Sequence, residues 1–344
     1  MQRIDHPRIA QQHGFTPVEN ASSGLFEGRR VSFGFSFTSN NAETFTVDAW
    51  LDPPLDLGLS MRERILAAVL EHDHVTGHPD LDGEFTITGD DPDRVRAFFA
   101  GPLRDDLAAL YRASLDLRVH DAGCAIYAQT GFLGPDEAWF VRALRGAAAI
   151  AARMDEQRAS LEAAHPIQPH AEVLRTLAKQ RGLAFATTPL STWGEVEGRA
   201  IQIGAQRTGR GKYELYARAA LDGDLGIDLA IRRQGLLDGV RTLLGGQDVI
   251  VGDVPFDKRF LVRADPARTE RIGLLLDAEA RAALLAIDGR CGPVSVDDRG
   301  VAVGPIPIGH APEDLVWLAD TLTEVTGRVS RNIVHGGAEA GPYR

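Results

Sequence analysis

The chain has 344 residues, of which 44% are hydrophobic and 25% charged, a composition typical of globular proteins and a length typical of about two domains. Its formal net charge of −11 argues against a surface that follows nucleic-acid phosphates, and its two cysteines argue against a disulfide framework. The sequence lacks an apolar run of the roughly 18 residues that a membrane span needs, and its first residues lack the apolar segment of a signal peptide. We therefore expect a cytoplasmic protein that does not insert into a membrane.

An internal repeat organises the sequence. Residues 247–262 repeat residues 72–87, and the two segments share a skeleton of two aspartates, a glycine and a phenylalanine. The shared positions are Asp73, Gly77, Asp82 and Phe85 in the first copy and Asp248, Gly252, Asp257 and Phe260 in the second. Further matches follow in the same order: residues 24–34 with 194–204, residues 56–59 with 224–227, and residues 117–125 with 294–302.

The length of this repeat predicts the domain organisation. A unit of about 170 residues is too long for a solenoid repeat, so the matches predict two domains made by tandem duplication. Two prolines between Ala163 and His170 cannot continue a preceding helix and predict a linker there. The predicted parts are a first domain at 1–162, a linker at 163–170, a second domain at 171–333 and a tail at 334–344.

Each copy begins with a predicted short helix that ends at a glycine, followed by strands in which apolar residues alternate with small or polar ones. The helix is predicted at 4–13 and 173–181, a hairpin at 31–37 with 45–51 and at 201–205 with 213–217, and a further strand at 85–88 and 260–263. We expect Phe85 and Phe260 to be buried core residues at equivalent positions, because each follows a turn and begins an alternating strand.

The second half of each copy carries helix start signals and a tight turn. Asp91 and Asp265 each precede a proline, the pattern of a helix N-cap, and Asp277 is predicted to cap another helix. Gly123 and Gly300 close a predicted hairpin turn that would need their positive φ. A closing helix is predicted at 136–157 and 312–327. Because strands and helices are grouped and do not strictly alternate, the pattern favours an α+β fold with antiparallel sheets in both copies.

Three histidines in the first copy raise the possibility of a metal site. His72, His74 and His78 lie within a few residues of one another, with aspartates nearby, and imidazoles and carboxylates ligate zinc and other transition metals. The alternative is a polar turn before a strand. The second copy has Gln247, Val249 and Asp253 at these positions, so the histidines do not belong to the shared skeleton. We therefore predict no bound metal and no cofactor, and a metal-dependent hydrolase is the third hypothesis.

The shared aspartates have two interpretations. Asp73 with Asp82, and Asp248 with Asp257, could act as a general acid–base pair, or they could accept hydrogen bonds from backbone amides in a turn beside glycine. Their presence in both copies favours the turn. Cys124 lies in a strand pattern without a base nearby in the sequence, which favours a small buried hydrophobe over a nucleophile.

These observations favour a non-enzymatic interaction or adaptor module that binds another protein. Trp50 and Trp193 are the candidate binding surface, because tryptophan is prominent among residues that dominate protein interfaces, although such aromatics also serve as core residues. The alternative function is a small-molecule or lipid-binding protein. Its ligand would contact an aromatic sheet face composed of Phe33, Phe35, Phe37 and Phe45.

Part of the second copy resembles a class of bacterial domains of unknown function. That class carries an F-[DE]-x-x-F-x-V strand and then a leucine-rich helix, and residues 256–262 and 274–285 are similar to these two segments. The likeness covers about fifty residues, and the first copy departs from it with Leu81 in place of Phe256 and with a break at Gly101-Pro102. The resemblance agrees with the α+β prediction and implies no activity.

Overall fold

A computed structural model describes residues 6–18, 21–37, 43–64, 74, 76–113, 115–129, 135–208, 212–234 and 249–338. The chain divides into two compact units, Met1–Ala164 and His165–Arg344.

The first unit contains an eight-stranded antiparallel sheet, the first sheet. Its strands are β1 (Thr16–Val18), β2 (Ala21–Phe26), β3 (Arg29–Phe37), β4 (Glu43–Trp50), β5 (Ser60–Glu63), β6 (Phe85–Thr88), β7 (Asp116–His120) and β8 (Gly123–Gln129). Its helices are α1 (His6–Gln12), α2 (Pro79–Glu84), α3 (Pro92–Phe98), α4 (Pro102–Arg112) and α5 (Glu137–Ala159). The strand order is β1-β2-β3-β4-β8-β7-β5-β6, so the β7–β8 hairpin is inserted between β4 and β5.

The second unit repeats this architecture in its own eight-stranded sheet, the second sheet. The strands are β9 (Ala184–Thr187), β10 (Leu190–Val196), β11 (Arg199–Thr208), β12 (Lys212–Ala220), β13 (Ala230–Arg233), β14 (Phe260–Arg263), β15 (Val294–Asp297) and β16 (Gly300–Pro307). The α-helices are α6 (Gln168–Arg181), α7 (Val254–Arg259), α8 (Ile272–Leu275), α9 (Ala278–Arg290) and α10 (Asp314–Ala338), and 3-10 helices span His165–Ile167 and Pro266–Arg271. Read from the opposite edge, the order β9-β10-β11-β12-β16-β15-β13-β14 is that of the first sheet. The predicted α+β fold and the duplication are therefore confirmed.

One face of each sheet is covered by the long closing helix. In the first unit, α5 packs on β3, β4 and β8, and in the second unit α10 packs on β11, β12 and β16. Alternation explains the packing, because side chains at every second strand position point to the same face. Phe85 and Phe260 are both buried, which confirms their predicted core positions.

The aromatic strand face that was considered as a ligand surface is part of this core. Phe33 and Phe45 are buried, and their ring centroids lie 4.8 and 6.0 Å from that of Phe140 on α5. Phe35 packs against Phe45 at 4.7 Å, whereas the side chain of Phe37 lies outside the described residues. Protein side chains surround the described rings, so these rings form a packed cluster and not a ligand surface.

The structure confirms the predicted match of Gly28 with Gly198 and corrects the predicted match of residues 56–59 with 224–227. Gly28 and Gly198 have φ values of 76° and 79°, at the same place in the turns between β2 and β3 and between β10 and β11. The predicted match of residues 56–59 with 224–227 is two residues out of register. The amides of Leu55 and Leu225 donate to the carbonyls of Asp121 and Asp298, so Leu55 corresponds to Leu225.

The glycine of the β7–β8 turn is required for a different reason from the predicted one. Gly123 has a φ of 144°, but the φ of Gly300 lies outside the left-handed region. A Cβ on Gly123 would lie 2.0 Å from the carbonyl oxygen of Ala49, and one on Gly300 would lie 2.5 Å from that of Ala219. The shared requirement is therefore the close approach of the neighbouring strand, and positive φ is needed only in the first copy.

Several boundaries differ from the sequence patterns. The segment predicted as a linker contains the 3-10 helix His165–Ile167 and the first turn of α6, because proline is tolerated in the first turn of a helix. The closing helix α10 continues to Ala338, beyond the predicted start of the tail at 334. Asp265 caps a 3-10 helix in place of the predicted α-helix. Within the described ranges, no helix has the length and apolar character required to cross a membrane.

Candidate functional site

Each sheet has a face opposite its closing helix, here called the polar face. The two tryptophans of the predicted binding surface lie on these faces, Trp50 in the first sheet and Trp193 in the second. In β4, Trp50 alternates with the buried residues Ala49 and Leu51 and pairs with Arg30 of β3. In β10, Trp193 alternates with the buried Thr192 and pairs with Gln202 of β11. The two tryptophans therefore lie on corresponding faces but on different strands, so they are not equivalent positions of the repeat.

Trp50 is held in place by its neighbours. Its Nε1 donates a hydrogen bond to Ser32 Oγ at 2.9 Å, and the guanidinium of Arg30 lies 5.9 Å from its ring centroid. The ring centroid of His120 lies 6.2 Å from that of Trp50, and His120 belongs to β7, on the side of β4 away from β3. Since the indole N–H is bonded and two side chains flank the ring, Trp50 forms a fixed, half-buried part of the surface.

Trp193 presents more of its ring, with 41% of the residue exposed. Beside it, Gln202 donates from Nε2 to the hydroxyl of Tyr216 at 3.1 Å, and the Arg218 guanidinium lies 5.7 Å from the Tyr216 ring centroid. Burial raises the pKa of Tyr216, and the nearby Arg218 charge opposes that rise. The polar face of the second sheet thus combines an exposed indole, a phenol and a guanidinium.

A cavity of about 310 Å³ opens on the polar face of the first sheet. Its lining residues come from β5, β7 and β8: Ser60, Met61, Arg62, Glu63, Arg118, Val119, His120 and Tyr127. The Arg118 guanidinium lies 4.9 Å from the centroid of the Tyr127 ring. His120 Nδ1 accepts a hydrogen bond from the amide of Ala122 at 3.2 Å, and burial lowers the pKa of this imidazole.

The polar face of the first sheet also contains Asp48, which pairs with Ser32 of β3 and Ala125 of β8. Burial raises the pKa of Asp48 from its usual 3.8 to about 6. A carboxyl with such a pKa exchanges its proton near neutral pH. The strand alternation of β4 and β12 places Arg218 at the equivalent position of the second sheet, so this position carries opposite charges in the two copies.

The described histidines of the candidate metal cluster make contacts within the turn. His74 Nε2 lies 3.0 Å from the carbonyl oxygen of Gly89, and the amide of His78 donates to Thr76 Oγ1 at 3.2 Å. His72 lies outside the described residues, as does Asp73. Across the part of the chain that the structure describes, no group of three or more His, Cys, Asp or Glu side chains could hold a metal ion. The absence of a metal stays a prediction.

Asp82 and Asp257 hold the same turn in the two copies. Asp82 accepts hydrogen bonds from the amides of Thr76 and Gly77 at 2.7 and 2.9 Å. Asp257 accepts from those of Val251 and Gly252, both at 3.0 Å. Their predicted partners Asp73 and Asp248 lie outside the described residues. The turn interpretation therefore accounts for the described half of each pair, because both carboxylate oxygens accept backbone amides.

Both cysteines are buried, and their thiols are unreactive. Cys124 Sγ lies 3.4 Å from the carbonyl oxygen of Ala147, and burial raises the pKa of its thiol to about 12. Burial also raises the pKa of Cys291, to about 11. Since the thiolate is the reactive form, neither side chain is prepared to act as a nucleophile at neutral pH.

Sequence reasoning missed the residues around the cavity. Asp116, Arg118 and His120 alternate with the buried Leu117 and Val119 in β7, and this alternation was the available signal for a polar face. The predicted hairpin turn at Gly123 makes β8 one neighbour of β7, but the pattern does not reveal that β5 is the other. Because β7 pairs with both β8 and β5, Tyr127 and Ser60 line the same cavity from opposite sides of β7.

No protein-family model matches this chain, and no curated protein matches it. Among solved structures, the chain is similar to the crystal structure of the mycobacterial trehalose monomycolate transport factor A, TtfA, with a TM-score of 0.32 and 8% sequence identity. That similarity covers 48% of this chain and 95% of the TtfA chain.

Proposed function

We propose that this protein is a non-enzymatic adaptor of the cytoplasm and that the polar faces of its two sheets bind a partner protein. The observation that carries the proposal is that Trp50 and Trp193 lie on corresponding faces. Trp50 is flanked by Arg30 and His120, and Trp193 pairs with Gln202, which bonds to Tyr216. Tryptophan, tyrosine and arginine are the residue types that most often dominate the energy of protein interfaces. Trp193 is 41% exposed, which leaves ring area for a partner to cover.

The roles of the reactive side chains also support a binding protein. The described carboxylates Asp82 and Asp257, at matching positions of the two copies, accept backbone amides in a turn. The thiols of Cys124 and Cys291 are buried and protonated at neutral pH. A catalytic constellation retained after duplication would place a reactive group at matching sites, whereas turn and core residues are what these two units share.

The test compares the proteins that crosslink to the full chain with those that crosslink to its variants. Trp193→Ala and Trp50→Ala each remove a proposed anchor, and Leu274→Ala is the matched control because Leu274 is an exposed hydrophobic residue of α8, 60% accessible. We expect a specific partner whose affinity falls at least about tenfold with Trp193→Ala, the effect of losing a strong interface residue, and is unchanged with Leu274→Ala.

Two results would overturn the adaptor proposal. One is that every captured protein binds the tryptophan variants and the wild type equally. The other is a turnover in a hydrolase and transferase screen that a single aspartate or histidine substitution abolishes.

A further inference from the structure

We propose that the cavity on the polar face of the first sheet binds a small ligand through a carboxylate group, with Arg118, His120 and Tyr127 as the recognising residues. This site goes beyond the adaptor proposal, because it needs only residues of the first unit. Three adjacent strands build it: Ser60 of β5 pairs with His120 of β7, and Asp116 of β7 pairs with Tyr127 of β8. The volume of about 310 Å³ is at the small end of ligand sites, which suits a compact organic acid.

The three recognising side chains all offer hydrogen-bond donors. Arg118 stacks on the Tyr127 ring at 4.9 Å, and a stacked guanidinium keeps its plane while its edge N–H groups remain able to meet a carboxylate. His120 Nδ1 accepts the amide of Ala122, so in the neutral imidazole the proton is on Nε2, which can donate. The Tyr127 hydroxyl is protonated at neutral pH, since the pKa of tyrosine, ordinarily near 10, is raised further here by burial.

The charges around the cavity favour a monovalent carboxylate over a phosphate dianion. Arg62 and Arg118 contribute two positive charges to the lining, and Glu63 contributes one negative charge. Asp116, directly across from Tyr127, adds a second negative group. With positive and negative charges balanced, the site has no excess positive charge to attract a dianion, so recognition depends on the hydrogen-bond donors.

The second unit provides an internal comparison, because it has the same scaffold with other side chains at these positions. Ala230 and Asp297, like Ser60 and His120, are paired across the corresponding strands. Continuing this register places Ser295 at the position of Arg118 and Gly304 at that of Tyr127. The fold therefore forms without the three recognising residues, and their presence in the first unit needs a different reason. Binding of a ligand supplies that reason.

The experiment is an NMR titration of the full chain with sodium benzoate, sodium acetate, a blocked peptide with one glutamate carboxylate, and inorganic phosphate, each to about 10 mM, tenfold above a millimolar dissociation constant. The indole N–H signal of Trp50 reports on the cavity, because its ring contacts His120. The variants are Arg118→Ser, which introduces the residue of the second copy, and Tyr127→Phe, which removes only the hydroxyl. The control is Arg96→Ser, which removes an exposed arginine of α3 that pairs with Asp93.

We expect saturable shifts near residues 60, 118–120 and 127, with affinity at least about tenfold weaker in Arg118→Ser, since a hydrogen bond to a charged group has about this effect. Arg96→Ser should bind like the wild type. Binding of the free acids would identify a free ligand, and binding of the peptide alone would identify a carboxylate of a protein partner; both results support the site. Tyr127→Phe keeps the packed ring, so it tests the site even if Arg118→Ser does not fold.

The proposal is wrong if no carboxylate produces saturable shifts, if phosphate binds as tightly as the carboxylates, or if both cavity variants bind like the wild type. Because no partner protein is present in the titration, failure here is distinct from failure of the adaptor proposal.

Discussion

At the scale of single residues, the polar face of the first sheet contains a carboxyl group whose proton affinity depends on folding. Asp48 is half-buried, and its pKa in the folded protein is raised from 3.8 to about 6 by burial. Between these two pH values the folded state binds the proton more tightly than the unfolded state does. The stability of the first unit should therefore fall as pH rises through this window, and it should change no further above it.

We predict that Asp48→Asn makes the first unit more stable than the wild type at pH 7.5, by about 1–3 kcal/mol, because the amide does not ionise. The difference should shrink towards zero as the pH approaches 4. Urea unfolding monitored by tryptophan fluorescence across this range measures it. Glu162→Gln, which changes an exposed carboxyl of the same unit, is the control, and a constant difference between pH 4 and 7.5 would contradict the assignment.

Two glycines of the first unit should respond very differently to the same substitution. Gly123→Ala places a Cβ 2.0 Å from the carbonyl oxygen of Ala49, so the sheet must shift, and we expect a loss of about 3 kcal/mol or more. Gly28→Ala meets open space and has only the strain of a φ of 76°, for which we expect about 1 kcal/mol. Equal losses in thermal or urea unfolding would show that close packing at Gly123 is not what matters.

At the scale of elements, the turn before β6 and its counterpart before β14 are built in the same way. The amides of His74 and Val249 donate to the carbonyls of Ile87 and Val262, at 2.7 and 2.9 Å. Gly77 and Gly252 have φ values of 81° and 85°. The histidine-rich and histidine-poor sequences therefore adopt one turn, because its determinants are backbone bonds, a glycine and an aspartate.

We predict that Asp82→Ala and Asp257→Ala destabilise their own units by similar amounts, about 1–3 kcal/mol, since each leaves backbone amides without an acceptor. Asp80→Ala is the matched control in the same helix α2. Asp80 pairs with Arg112 at an exposed site, so its loss should change stability by less than about 1 kcal/mol. If only one of the substitutions Asp82→Ala and Asp257→Ala destabilised its unit, the two turns would not be equivalent.

Phe85 and Phe260 begin β6 and β14 and pack on aromatic neighbours. The ring centroid of Phe85 lies 5.1 Å from that of Tyr111, and that of Phe260 lies 4.8 Å from that of Phe256. We predict that Phe85→Ala and Phe260→Ala each destabilise their unit by about 3–5 kcal/mol, from lost burial and the cavity that remains. A change below about 1 kcal/mol in chemical unfolding would contradict a tight core at either site.

At the scale of the whole molecule, the two units share one backbone fold but have different polar and charged side chains within it. In the first unit, burial raises the pKa of Tyr111, and the hydrogen bond of its hydroxyl to Glu84 and the nearby charge of Glu63 raise it further. In the second unit the buried Asp288 of α9 forms ion pairs with Arg259 and Arg233. In both units these side chains find their partners within the same unit.

For the whole chain we predict that protein purified without a histidine tag contains no stoichiometric transition metal. His74 and Asp82 make hydrogen bonds within the turn, and the second copy forms the same turn without the histidines. Elemental analysis measures the metal content. One tightly held metal ion per chain, lost in a His72→Ala/His74→Ala variant, would contradict the prediction and support the hydrolase hypothesis.

The sequence by itself determined the features that depend on neighbours along the chain. Alternating side chains identified the strands, a proline after an aspartate identified the start of α3, and the ordered matches identified two units of one fold. Buried Phe85 and Phe260 followed from the same patterns. These inferences succeed because strand alternation, capping and glycine conformations are local properties of the backbone.

Tertiary structure alone decided which strands from distant parts of the chain are neighbours, and with that the candidate sites. Trp50 meets His120 only because β8 pairs with β4 on one side and with β7 on the other, and the same β7–β8 pairing brings Arg118 to Tyr127. The aromatic residues Phe33 and Phe45, which looked suitable for a ligand, lie instead under α5. Pairing between distant strands and the choice of the covered face depend on the packing of the whole unit, so a local pattern cannot determine them.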